Sequence, residues 1–228
     1  MIKKELEFFD VLYFQKKVIE FNKVIGINSH DKQYADLYKS LSYEECFGTG
    51  ELVESVEKGD MVGIADGLAD SIFTVFQWAF LEGCEITSLD ELYFYKVVKK
   101  HHDKDISLLN FKDAILRESA FEAQSCLLHL LEVYSEDMDI VAVFNRVLES
   151  NMSKAVHKSK DIDIVSEVKY IEKQGRYGNV ICVESGDYFL FKAGSDIREG
   201  TKFSKPKLIK SRQFLDVDDL GGLQCFIY

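Results

Sequence analysis

The sequence predicts a mainly α protein: a four-helix-type metal-binding bundle with extra helices, followed by a small C-terminal β-hairpin region. Three observations predict it. Apolar residues recur at i, i+3 and i+4 through most of the first 150 positions, the spacing of amphipathic helices. The single proline, Pro206, stands far from these runs. After about Asp161 the pattern changes to short β-rich runs around glycine-containing turns.

Phe8, Phe9, Val11, Leu12, Phe14, Val18 and Phe21 define a first helix, which Gly26 ends. A second helix covers about Asp31 to Glu45. Cys46-Phe47-Gly48-Thr49-Gly50 then interrupts, because closely spaced glycines weaken a helix. A third segment begins near Glu51. Lys58-Gly59-Asp60 reads as a turn whose Asp60 caps the next helix, which runs to about Glu82 and stops at Gly83. Ser88 and Glu91 have capping-box spacing for a fresh start, and further helices pass through Tyr95, Leu116, Leu130 and Phe144. Two β-rich runs flank Glu184-Ser185-Gly186-Asp187, a hairpin signature, with a third strand expected near Thr201-Lys202-Phe203.

The chain has 228 residues, room for one sizeable domain with an appendage or two small domains. Its 28 Lys and Arg against 39 Asp and Glu leave a net charge of −11, the wrong sign for a protein that grips nucleic acid through phosphates. No nucleic-acid polymer is therefore expected as a partner. Cys46, Cys84, Cys126, Cys182 and Cys225 are scattered and form no C-x-x-C pair, so neither a disulfide framework nor a thiolate zinc site is expected and a reducing cytoplasm is the simplest home. The start of the chain reaches Glu5 and Glu7 too soon for a secretory leader. Met61 to Leu81 is apolar enough to mimic a membrane span, but Asp66 and Asp70 would each cost about 2.5–3.5 kcal/mol at a bilayer centre. A soluble chain without a membrane partner is the expectation.

Acidic pairs carry the chemistry. Glu51 and Glu54 lie at i, i+3, and Asp66 and Asp70 at i, i+4, so each pair is expected to share one helical face. Taken alone, Glu51 and Glu54 read as a solvated face. Asp66 and Asp70 differ, because Ile64, Ala65, Leu68, Ala69, Ile72 and Phe73 surround them on a helix that is apolar nearly all round, hence buried. Buried carboxylates must be paired or bind a cation, and Lys58 is the only basic residue between Lys39 and Lys96. An ion held by oxygens alone is Mg²⁺, with Mn²⁺ the substitute. Several carboxylates around Mg²⁺ imply phosphate chemistry.

Gly50-Glu51-Leu52-Val53-Glu54-Ser55-Val56, then Gly59-Asp60, then Ile64-Ala65-Asp66-Gly67-Leu68-Ala69-Asp70, resemble the all-α nucleoside triphosphate pyrophosphohydrolases, the MazG-like and phosphoribosyl-ATP-pyrophosphohydrolase-like proteins, particularly forms encoded by bacterial viruses. Ser150-Asn151-Met152-Ser153-Lys154 resembles an element that follows the last core helix in that branch, and Val18-Ile19-Glu20-Phe21 fits the opening helix. The likeness covers about residues 10–83 and 138–155. It implies an all-α pyrophosphohydrolase-like domain over residues 1–160, with a helical insertion at about 86–136, and a small β-containing region over 161–228. It implies cleavage of a (deoxy)nucleoside triphosphate to the monophosphate and pyrophosphate. Glu51, Asp66 and Asp70 would then hold Mg²⁺, Glu54 would be a ligand or the base for the attacking water, Glu51 would share the catalytic role, and Asn151 and Lys154 would contact phosphates. A guanine nucleotide such as dGTP is the first expectation for the substrate, and a homodimer or homotetramer for the assembly.

Two departures from the family pattern matter. Glu44 and Glu45 stand earlier than the family's leading glutamate pair: either the Cys46–Gly50 stretch lets one of them swing back as a ligand, or a ligand is lost. Gly67 stands where many relatives have a further glutamate, so Asp66 must substitute. A degenerate member that binds nucleotide or a partner protein without catalysis is the alternative reading. Hydrolysis of phosphoribosyl-ATP itself fits less well, given the extra helices and tail. Gln77 and Trp78 shape a nucleobase pocket or, on the plainer reading, pack in the core. Arg176 reaches a phosphate or holds a turn. His30, His101, His102, His129 and His157 show no ligand spacing with the cysteines.

Overall fold

Met61–Leu81 is the axis of the molecule. The computed structural model describes residues 7–27, 32–49, 51–84, 86, 103–198 and 200–228. In chain order these form α1 (Phe8–Val24), α2 (Lys32–Phe47), α3 (Leu52–Lys58), α4 (Met61–Leu81), α5 (Lys104–Leu116), α6 (Ala120–Tyr134), α7 (Ile140–Met152), β1 (Ala155–His157), α8 (Ile164–Lys173), β2 (Tyr177–Ser185), β3 (Tyr188–Asp196) and β4 (Thr201–Leu208), then a 3₁₀ turn at Gln224–Phe226. The expected cap at Ser88 and Glu91, the helix through Tyr95, and His30, Asp31, Gly50, His101 and His102 lie outside the described residues. Among the described residues no helix is long and apolar enough to cross a membrane.

Local signals set the helix ends. Asp60 accepts from the amides of Val62 and Gly63 at 3.1 and 3.2 Å and starts α4. Asp103, Asp139 and Asp163 cap α5, α7 and α8 in the same way, each satisfying an otherwise orphaned first-turn amide. Gly26, Gly59 and Gly83 end α1, α3 and α4 at φ of 78°, 67° and 71°, a region where glycine alone avoids strain.

The four-helix-type bundle is corrected by the packing. α4 is buried along nearly its whole length because α1, α2, α3, α6 and α7 all lie against it. A central helix with five neighbours needs apolar residues on every side, which is what its sequence carries. Phe14, Phe73 and Phe144 meet at its waist, with ring centroids 4.7 and 5.1 Å from Phe144. Trp78 is 1% exposed in the same core, the plainer of its two readings. The 86–136 stretch supplies α5 and α6, and α6 packs directly on α4.

The small C-terminal hairpin region is corrected too. β2 and β3 do form the expected hairpin, paired from Tyr177↔Asp196 to Ser185↔Tyr188. They belong to a four-stranded antiparallel sheet, in which β1 and β4 share the other edge of β3. Both faces of β3 are covered. Leu190 joins the main helical core, whereas Phe191 and Ala193 join a second core with Val180 and Ile171 of α8. The sheet is thus a layer between the helical body and α8, larger than a hairpin and with apolar residues on two sides. Pro206 lies where the β3–β4 register shifts, between Lys207↔Ala193 and Lys202↔Ser195. A residue with no N–H to donate belongs at such an irregularity.

Two glycines let α3 press against α4. A Cβ on Gly67 would lie 2.9 Å from Leu52 Cα and 3.1 Å from Leu52 N, and one on Gly63 would strike Ser55. The close approach explains why position 67 carries no side chain. Gly67→Ala should gain about 1 kcal/mol in helix propensity but lose about 1–3 kcal/mol to the backbone clash. The expected result is a lower urea midpoint with an unchanged m-value; a midpoint at or above the parent's would refute the close approach.

Candidate functional site

Asp66 and Asp70, one turn apart on α4, look into a cavity of about 270 Å³. Its walls come from α1, α2, α4, α7, β3, β4 and the segment 210–217. Glu45 from the end of α2 lines it, as do Asn151 and Lys154 from the end of α7. Tyr34, Leu37, Tyr38 and Phe73 form an apolar and aromatic wall.

The carboxyl groups disturb one another. Burial, then the charges of Asp70, Glu51 and Glu44, push Glu45 up to about 9. Burial, then Asp70 and Glu51, raise Asp66 to about 7. Burial and Asp70 raise Glu51 as well, although a hydrogen bond from Glu45 opposes this. With Glu45 protonated, its O–H donates to the Glu51 carboxylate. Asp70 is raised by burial against the opposing pull of Lys154 and a hydrogen bond from Asn151. Lys154 Nζ in turn donates to Asn151 Oδ1 at 2.5 Å, and burial holds its ammonium below the usual lysine range. Lys154, Asn151 and Asp70 therefore form a connected chain from α7 to α4.

Not every expected residue joins. Glu51 is the N-cap of α3 in extended conformation, with φ −86° and ψ −166°, so it does not share a helical face with Glu54. Glu54 pairs with Lys58 on α3 and does not line the cavity. Glu44 is exposed and accepts from Lys207 at 3.3 Å, whereas Glu45 turns inward, the residue of that pair that reaches the cavity. Among the described residues no three acidic, histidine or cysteine side chains stand close enough together to hold a metal ion. This corrects the metal-binding description of the bundle. Two of the expected acids are drawn to lysines instead, Glu54 to Lys58 and Glu44 to Lys207.

The donor set nonetheless suits a hard cation. Glu45, Glu51, Asp66 and Asp70 offer only oxygen atoms, all four are held above their ordinary range, first by burial, and a divalent charge would favour their ionised forms.

Sequence reasoning missed the cationic side of the cavity. Lys192 on β3 is 8% exposed and donates to Ile25 O at 2.8 Å. Lys207 on β4 and Lys210 just after it also line the cavity, near Phe214 and Asp216. Their signal in the sequence is the run Lys202, Lys205, Lys207, Lys210, dense in lysine within an acidic chain. A buried clasp fixes that segment: Glu167 of α8, 1% exposed, accepts from Arg212 N and Nε at 2.6 Å each. Arg176 bonds Asp196 at 2.9 Å and so holds the turn. Gln77 is fully buried and bonds Asn22, whose amide oxygen accepts from Tyr38 at 3.0 Å; Asn22 and Tyr38, not Gln77, face the cavity.

No protein-family model, curated protein or solved structure matches this chain.

Proposed function

We propose that the protein is a Mg²⁺-dependent nucleoside triphosphate pyrophosphohydrolase. One observation carries the reading: one cavity sets half-buried carboxyl groups against lysines and closes with an aromatic wall. A divalent cation, a polyphosphate and a flat apolar base are the three things such a lining complements. The motif resemblance supplies the bond that breaks.

In this reading Asp66, Asp70, Glu45 and Glu51 hold Mg²⁺, or Mn²⁺ in its place. When bound, the ion would activate a water and neutralise phosphate oxygens. Lys154 and Asn151 hold phosphate oxygens, with Lys154 as a compact positive charge. A water oxygen attacks the α phosphorus, the bond to the bridging oxygen breaks, and the nucleoside monophosphate and pyrophosphate leave. Glu51, tied to Glu45, takes the proton in this reading, a role the resemblance shares between Glu51 and Glu54.

Phosphate release after added pyrophosphatase, across ribo- and deoxynucleoside triphosphates with dGTP and GTP first, is the test. Mg²⁺-dependent release with at least one nucleotide is expected; none in Mg²⁺ or Mn²⁺ would end the enzyme reading. Each chain is expected to act in a homodimer or homotetramer. Ile106, Leu109, Leu116 and Phe121, 41–57% exposed on α5 and the start of α6, support that. Light scattering on the eluting protein checks it.

The second reading, a degenerate fold that binds nucleotide or a partner without turnover, is favoured by Glu54 pairing with Lys58 and by the lack, among the described residues, of three ligand side chains close enough to hold a metal ion. Binding of nucleotide without any turnover would select it.

A further inference from the structure

We infer that Lys192, Lys207 and Lys210, contributed by the sheet and the segment after it, form a subsite for the outer phosphates of a polyphosphate chain. The assignment rests on reading the cavity as a nucleotide site and adds what that reading lacks, a reason to prefer three phosphates over one.

Lysines from α7, β3, β4 and the following segment converge on one cavity of a chain whose net charge is −11. Such convergence is not what a random scatter of surface lysines gives. Lys192 is the informative member. It is buried, its one hydrogen bond goes to a backbone carbonyl, and burial alone holds its ammonium below the usual lysine range. Buried ammonium groups are costly unless paired, and this one lines the cavity. An anion in the cavity would pair it.

Lys207 and Lys210 make long ion pairs, Lys207 to Glu44 at 3.3 Å and Lys210 to Asp216 at 3.4 Å, with solvent-exposed partners, and lie over the Phe203 and Phe214 rings. Such pairs contribute little and exchange readily. A polyphosphate with several charges would draw both lysines from them. Asp66 and Asp70 come from α4 and Lys154 from just after α7, whereas Lys192 and Lys207 come from the sheet, so a triphosphate can lay its inner phosphates toward Asp70 and Lys154 and its outer ones toward the sheet. Clamping of the outer phosphates by fixed cations is a common way to orient a phosphoryl group for attack.

The experiment is calorimetric titration of the full chain with inorganic tripolyphosphate and, separately, with dGMP, at saturating Mg²⁺. Lys207→Gln/Lys210→Gln is expected to weaken tripolyphosphate at least tenfold while changing dGMP less than twofold. Lys192→Met should act in the same direction. Because Lys192 is buried, the more accessible pair, Lys207 and Lys210, is the decisive variant, and its thermal melt should match the parent's. Equal loss for both probes, no loss for tripolyphosphate, or no tripolyphosphate binding by the parent would each overturn the inference. Tripolyphosphate binding without nucleotide turnover would leave the subsite standing and remove the enzyme reading. Turnover without tripolyphosphate binding would do the reverse.

Discussion

Asp70→Asn is expected to reduce nucleoside triphosphate turnover by more than about 100-fold, the upper range for groups that touch only a metal's ligands. The side chain keeps its shape and loses its charge. Asp70 stands where the constraints meet: it raises Glu45 and Asp66, it accepts from Asn151, and it is the carboxylate nearest in effect to Lys154. Removing its charge should lower Glu45 and Asp66 toward their ordinary values and leave Lys154 without its counter-charge. The folded state should change little, because relief from burying that charge is offset by the counter-charge lost beside Lys154. Loss of turnover with a nearly unchanged melting temperature is therefore the expected pair of results. A variant that retains most of its turnover removes Asp70 from the chemistry. A variant that retains nucleotide or partner binding when the parent itself turns nothing over supports the degenerate reading.

The local parts of the fold were legible because local physics sets them. Asp60, Asp70 and Gly59 announce a capped, buried, acidic helix without reference to the rest of the chain. The place of Lys154 beside Asn151 and Asp70 is not legible locally, since nothing in its neighbourhood says that α7 ends against Asp70. Glu51 shows where helical arithmetic fails: spacing at i, i+3 has meaning only inside a helix, and Glu51 stands one residue before one. The sheet was underestimated for a similar reason. β3 is covered on both faces, so its Tyr-Phe-Leu-Phe run lacks the polar alternation that marks a strand with one wet face. The cationic wall was hidden because Lys192 and Ile25 are brought together only by tertiary packing.

Chelation and pH should act on stability together, and their sign follows from the acid cluster. The folded values of Glu45 and Asp66, about 9 and about 7, lie above the ordinary 4.5 and 3.8. Between about 4 and about 9 the folded chain therefore binds more protons than the unfolded one, and the stability these groups contribute falls as pH rises through that window. It is fully present below the unfolded values and lost above the folded ones, the reverse of a carboxylate held low by a salt bridge. In EDTA the melting temperature should decline toward alkaline pH, by a shift on the order of 5 °C, at about 2–4 °C per kcal/mol for a chain of this size. Excess Mg²⁺ should reverse the trend, since a cation that binds only the ionised cluster stabilises the folded state more as protons leave. The Mg²⁺-induced rise should thus be larger above pH 8 than near pH 6, and Asp70→Asn should flatten both curves. A melting temperature in EDTA that climbs across this window would mean that the acids are not crowded as described, and an Mg²⁺ effect independent of pH would place the ion elsewhere.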